Sequence, residues 1–417
     1  MRVRAPGWGG WGERIRGAAA APWGRAFGVL WISQVVAEVA FSFALPFIPL
    51  YIHSELGVAN EAEAGLWAGA MAGAFSLTMG LMGPVWGAIA DRFGRKLMVQ
   101  RALFGAGCAI GAMSLARTPE QLLVLRVIQG SLTGVVVATT TMVSLMVPRR
   151  HLGSSLGLMH AALFAGGAVG PVIGGAFADA LGYRATFAAT ALVFFAAGAL
   201  VTLFVPEPSG GRPVAAVVHA AAAPATRLLR PELLAVVVLS AAIRFANFAP
   251  QPVLPLFVQG MGVEAGRLAT TVGTVVAATG VAGMLSAVTM GRLADRYGRT
   301  ATLLVCLLLA AVLSPLHALA TTVWQLLALR TAMGFALGGM SPAVQAVMTD
   351  LTPPERRGAA FGLLTMASAV GSGAGPVLGS AIAAAYGIPA VFVVTAPLFL
   401  LCAGSLLTVR MPRQQAA

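Results

Sequence analysis

A chain of 417 residues that is 58% hydrophobic and 10% charged, with a mean hydropathy of +0.85, is not built for water, since a soluble domain is about a quarter charged. Its formal charge of +13 does not indicate nucleic acid, because most basic residues lie in short segments between apolar runs, the positive-inside pattern of loops facing anionic lipid. Fifty glycines suit closely packed membrane helices, and Cys108, Cys306 and Cys402 stand singly, without the spacing of a disulfide framework or a metal site.

Residues 1–25 carry arginines and precede an apolar run, Phe27 to Ile52, that is too long for a signal-peptide core and lacks a cleavage site, so it is read as the first membrane helix. About 20 apolar residues cross a bilayer, and this length predicts spans at 26–51, 64–90, 97–116, 121–147, 154–180 and 185–205. They make an N-terminal six-helix bundle over 26–205. Residues 206–231, richer in Pro, Gly and Arg, read as the linker between halves. A second bundle over 232–410 follows, with spans at 232–258, 266–292, 300–320, 323–349, 358–385 and 388–409, and a tail at 411–417. The basic residues place both termini and the linker in the cytoplasm.

The two halves are copies. The stretch Gly87-x-x-x-Asp91-Arg92-x-Gly94-Arg95-Lys96 joins the second and third spans, and Gly291-x-x-x-Asp295-Arg296-x-Gly298-Arg299 returns about 204 residues later in the same place. Pro46-Phe-Ile-Pro-Leu-Tyr51 matches Pro252-Val-Leu-Pro-Leu-Phe257 in the first helices of the halves. Arg126-Val-Ile-Gln129-Gly130 matches Arg330-Thr-Ala-Met333-Gly334, and the glycines of the fifth span match those of the eleventh. A period this long is a duplicated half rather than a solenoid.

The charged hairpin resembles the loop motif of the major facilitator superfamily of secondary transporters. That resemblance implies an all-α integral membrane fold of twelve transmembrane helices in two pseudo-symmetric bundles, with a substrate cavity between them, transport by rocking, and action as a monomer. A purely topogenic loop explains the cations but not an acid at Asp91 and again at Asp295. In the resembled family this aspartate engages a neighbouring helix end and the loop arginines, a conformational latch that here comprises Gly87, Asp91, Arg92, Gly94, Arg95, Lys96, Asp295, Arg296 and Arg299.

On the fifth span Gly157, Gly166, Gly170, Pro171, Gly174 and Gly175 form a pattern in which glycines four apart share one face and give a neighbouring helix close approach. Pro171 removes a hydrogen bond and bends the rod. The pattern resembles the antiporter motif of drug:proton antiporters, and by itself it reads as a tight helix crossing. Arg126 resembles the buried arginine that the family links to proton coupling; the competing reading is a snorkelling side chain near the span's end.

Glu38 is the one acidic residue near the middle of a predicted span. Low dielectric disfavours a charged carboxylate, which suits reversible protonation, and ionisable groups inside membranes mark functional sites. Glu38 and Arg126 are therefore the proton-coupling candidates, with the proton as coupling ion and no cofactor. An offset of about 206 places Arg244 where the second half would have Glu38, so both Arg244 and Arg126 are open as partners of the carboxylate. Gln34, Glu38, Phe41, Met142, His160, Arg244, Asn247, Phe248, Gln251, Gln345 and Met366 are the expected lining of an adaptable, largely apolar pocket. The expected activity is export of lipophilic drugs or other small molecules in exchange for protons, across the bacterial cytoplasmic membrane. The alternative is efflux of a metabolite such as a sugar, amino acid or siderophore. The chain has no metal-ligand cluster, nucleophile–base pair or nucleotide loop that would suggest an enzyme.

Overall fold

The computed structural model describes residues 22–207, 231–353 and 356–408; the remainder of the N-terminal segment, most of the expected linker and the tail lie outside them. The described residues are helical, with no strand among them, as hydrocarbon demands of a chain whose backbone groups must find partners internally. In order the helices are α1 (Pro22–Ala44), α2 (Ile48–Glu55), α3 (Glu61–Phe93), α4 (Arg95–Met113), α5 (Pro119–Leu132), α6 (Val135–Met146), α7 (Arg149–Phe204), α8 (Pro231–Phe248), α9 (Leu254–Gln259), α10 (Leu268–Tyr297), α11 (Arg299–Ala318), α12 (Val323–Leu351), α13 (Arg357–Tyr386) and α14 (Ile388–Thr408).

Three pairs are single rods with a break. Pro46 and Pro49 lie at the junction of α1 and α2, where the chain passes through a 3-10 turn, and Pro250 and Pro252 lie between α8 and α9. Proline cannot supply the amide that a continuous helix needs. The break between α5 and α6 falls at Gly134, at φ 121°, and has no counterpart in α12, which is continuous. Conversely α7 is two rods, because Gly182 adopts φ 84° and turns the chain back. Counted this way the described residues form twelve rods. Eight stretches are long and apolar enough to cross a membrane, and one of these, Ser154–Phe204, contains both rods of α7. The chain is a multi-pass membrane protein.

Each half has its own core. Leu30, Leu103, Phe187 and Phe194 belong to the first, and Val236, Leu303, Met340 and Phe399 to the second. A third cluster holding Phe47, Leu50, Leu254, Val272 and Leu326 joins the halves. The bundles meet through α7 against α10 and α3 against α13. These meetings use glycine: a Cβ at Gly175 would strike the Ala269 carbonyl, one at Gly273 the Pro171 carbonyl, and one at Gly69 would lie 2.6 Å from the Pro376 carbonyl oxygen.

The close approaches between bundles end near Ser76 on α3 and Gly280 on α10. Beyond them, toward the Gly94 and Gly298 hairpins, a Cβ at Gly80, Gly83, Gly87, Gly157 or Gly362 would meet nothing within 4 Å. The molecule is closed at one end and open at the end carrying the hairpins. Gly87 and Gly157 have no close helix neighbour here, because the bundles have parted at their level.

Candidate functional site

The glycine pattern on α7 has two faces in use. Toward α1, a Cβ at Gly166 would collide with Glu38, one at Gly170 would lie 2.7 Å from both the Val39 oxygen and Ser42 Cβ, and one at Gly174 would strike the Phe43 carbonyl. Toward α10, the residues next along the helix, Gly167, Pro171 and Gly175, meet Gly280, Gly273 and Ala269. Gly371, Gly375 and Gly379 of α13 press in the same way on Ala241 and Phe245 of α8 and on Ala249 just past its end.

Glu38 sits beneath Gly166 in a short polar chain. Thr139 Oγ1 donates to Gln34 Oε1 at 2.5 Å and Gln34 Nε2 donates to Glu38 Oε1 at 2.8 Å. The amide therefore uses both of its ends to tie α6 to the carboxylate on α1. Neither Arg244 nor Arg126 pairs with Glu38: its hydrogen-bond partner is the Gln34 side-chain amide, which stands where an arginine was expected.

Between the bundles, at the floor of the closed half, lies a cavity of about 450 Å³. Of the expected lining residues, Phe41, Asn247, Phe248 and Gln251 face it. Gln34 is fully buried beside Thr139, and neither it nor Glu38, both expected in the lining, is among the residues that line the cavity. Met142 is 0% exposed within the first core, whereas His160 is exposed and Met366 is 61% exposed. None of the three lines the cavity: Met142 is turned to the packed face of its rod, whereas His160 and Met366 share the helix faces of Gly167 and Gly373 two turns nearer the hairpins, where the bundles have parted, so they lie beyond the closed-half cavity. Arg244 and Gln345 instead line a separate 40 Å³ pocket within the second bundle.

Arg126 is 5% exposed and lines the cavity. Its Nη1 donates to Gln129 Oε1 at 2.6 Å, and its guanidinium lies 4.6 Å from the centre of the Phe75 ring. Arg330, 7% exposed, lines the same cavity from α12 and packs over Phe392 at 5.6 Å. Arg330 matches Arg126 in the second half, with Met333 in place of Gln129, and is not among the expected lining residues. Phe75, Ser76, Thr279 and Ser372 were missed because nothing distinguishes them from other residues of their helices.

At the hairpin the side chains of Asp91 and Asp295 lie outside the described residues. Arg92 and Arg296 are exposed. Gly94 takes φ 100° and Gly298 φ 96°, a conformation that glycine adopts without steric cost, and each reverses the chain between two rods. The amides of Arg95 and Lys96 donate to the two carboxylate oxygens of Glu207 at 2.6 and 2.9 Å, and Lys96 Nζ donates to the Thr202 carbonyl at 2.8 Å. Glu207, within the linker expected at 206–231, therefore caps α4 from just past the end of α7. In the second half Arg299 Nη1 instead donates to Asp350 Oδ1 at 2.5 Å.

This fold, two duplicated bundles around a central cavity, belongs to the class of membrane transporters, and comparison names the family. The profile described as Major Facilitator Superfamily matches residues 30–271 and 266–417, so the chain belongs to that superfamily and is a transporter rather than an enzyme. It is similar to the Multidrug resistance protein MdtG of Enterobacter lignolyticus, 33% identical over 377 residues that cover 90% of this chain and 89% of the relative. Similarity to the MdtG of Salmonella choleraesuis is 32% over 375 residues, covering 90% and 92%. Among solved structures, a bacterial homologue of the human lysosomal transporter Spinster, in an inward-facing and occupied conformation, superposes with a TM-score of 0.75 at 15% identity, covering 92% of this chain and 96% of that one.

Proposed function

We propose that this protein is a proton-coupled exporter of lipophilic small molecules, working by alternating access in the bacterial inner membrane with its hairpins, linker and both termini in the cytoplasm. One observation carries the reading: the first rod of α7 covers Glu38 with one face and forms the contact between bundles with the other. Protonation of Glu38 alters the charge beneath that rod, and the rod's far face is a surface along which the bundles rock. A proton and a substrate that favour different conformations exchange across the membrane, as differential binding to two states requires. The multidrug resistance relatives support a lipophilic substrate range. In this reading the open end faces the cytoplasm and the cavity is loaded from inside.

The test is gradient-driven movement of a panel of lipophilic dyes in proteoliposomes, comparing the parent chain with Glu38→Gln. Movement that follows an imposed pH gradient in the parent and loses that dependence in the variant is the expected result. Full gradient-driven movement in Glu38→Gln would remove the carboxylate from the mechanism.

A further inference from the structure

The charge of the cavity narrows the substrate. Arg126 and Arg330 occupy equivalent positions in the two halves, and both line the cavity between them. Each is more than nine-tenths buried. Arg126 Nε has no hydrogen-bond partner, and neither Nε nor Nη2 of Arg330 has one. Guanidinium is charged at any physiological pH and offers donors only. A buried cation with free donors is costly unless an anion meets it.

No such anion stands in the lining. Among the described residues around the cavity there is no Asp or Glu; the nearest carboxylate along α1, Glu38, is engaged by Gln34. Phe75 and Phe392 lie against the guanidinium groups, and Gln129 fixes Arg126, so neither cation is free to turn away to water. The rest of the lining is mostly apolar, with Phe41, Leu45, Phe248 and Val276 among it, and 450 Å³ is in the size range of drug-like ligands.

Building on the export reading, we infer that the cavity recognises amphipathic organic anions, with Arg126 and Arg330 receiving a carboxylate, sulfonate or phosphate head while the apolar lining takes the body. The two arginines come from opposite bundles, so a bound anion joins the halves around itself. A lipophilic cation, by contrast, would enter a site that already holds two uncompensated positive charges.

The experiment is equilibrium binding to the purified full chain in detergent, without any ion gradient, read by the fluorescence of three matched probes: dansylaminoundecanoic acid, its primary carboxamide and the corresponding amine. The acid should bind at least about tenfold more tightly than the carboxamide, the scale of one charge-assisted hydrogen bond, and the amine more weakly than either. Arg126→Gln and Arg330→Gln should each bring the acid to within about threefold of the carboxamide while leaving carboxamide binding in place, and Arg330→Lys should retain part of the preference. An unmodified chain that binds the amine or the carboxamide as tightly as the acid overturns the inference whatever the variants do, and so does a preference that survives both substitutions. Should a Gln variant fail to fold, the ranking in the unmodified chain and the Lys variant decide. Loss of gradient-driven transport with the binding preference intact would count against proton-coupled export and leave the anion site standing; transported dyes with no preference for the acid would do the reverse.

Discussion

Asp179, on α7 in the first half, caps the start of α10 in the second: its two carboxylate oxygens accept hydrogen bonds from the amides of Ala269 at 2.9 Å and Thr270 at 2.8 Å. The first amides of a helix lack intrahelical partners, and the positive end of the helix dipole favours a carboxylate there. Among the described residues this is a polar tie between bundles at the closed end. Beside it Gly175 packs on Ala269 through space that only a glycine leaves. Asp179→Ala removes both bonds and should weaken the closed end by about 1 kcal/mol, or about fivefold in population. Pulsed EPR distances between labels at Asn60 and Arg267, in a background without the native cysteines, should shift toward the longer population; an unchanged distribution would show that packing alone holds this end.

The α1–α7 contact separates glycines that must be glycine from those that need not be. Gly174→Ala drives a methyl into the Phe43 carbonyl, an overpacking that costs about 1–3 kcal/mol. Gly157→Ala enters open space and should stay within about 0.5 kcal/mol. Thermal unfolding of the two purified variants measures the difference, and equal midpoints would contradict the packing described.

Replacing Gln34 by Leu should disable Glu38 without touching it. The substitution leaves the Glu38 carboxylate without its amide donor. Thr139 loses one acceptor but keeps the Val135 carbonyl at 2.8 Å, so the carboxylate bears the larger share of the loss. Gradient-driven transport should fall more steeply than equilibrium binding. A variant in which both fall together would point to a general loss of packing instead.

Glu207 gives a local readout. Glu207→Ala deprives the Arg95 and Lys96 amides of their acceptor, so hydrogen exchange in a peptide spanning residues 90–100 should accelerate. The equivalent peptide around Arg299, whose guanidinium rather than its amide is bound to Asp350, should be unchanged.

Much of this architecture was written in local sequence. The duplication is legible because matched landmarks recur at nearly one offset, and the broken first helices of each half follow from Pro46, Pro49, Pro250 and Pro252, since proline removes an amide wherever it stands. The hairpins are legible because Gly94 and Gly298 sit between apolar runs too close together to allow a longer loop. Apolar length then determines the rods, as it does in any bilayer.

What the sequence could not determine is the rotation of each rod about its own axis and the pairing of distant helix ends. At 3.6 residues per turn, a small rotation decides whether Met142 or a neighbouring residue faces the cavity, and that rotation is set by packing against neighbouring helices. Tertiary structure therefore turned Met142 into the core, left His160 and Met366 exposed where the bundles part, and brought Arg330 to face the same space as Arg126. It placed Gln34 rather than an arginine on Glu38, and carried Glu207 and Asp179 to helix ends more than a hundred and about ninety residues away along the chain. Capping needs only an unpaired amide and a nearby carboxylate, and no local pattern records which distant helix end will supply the amide.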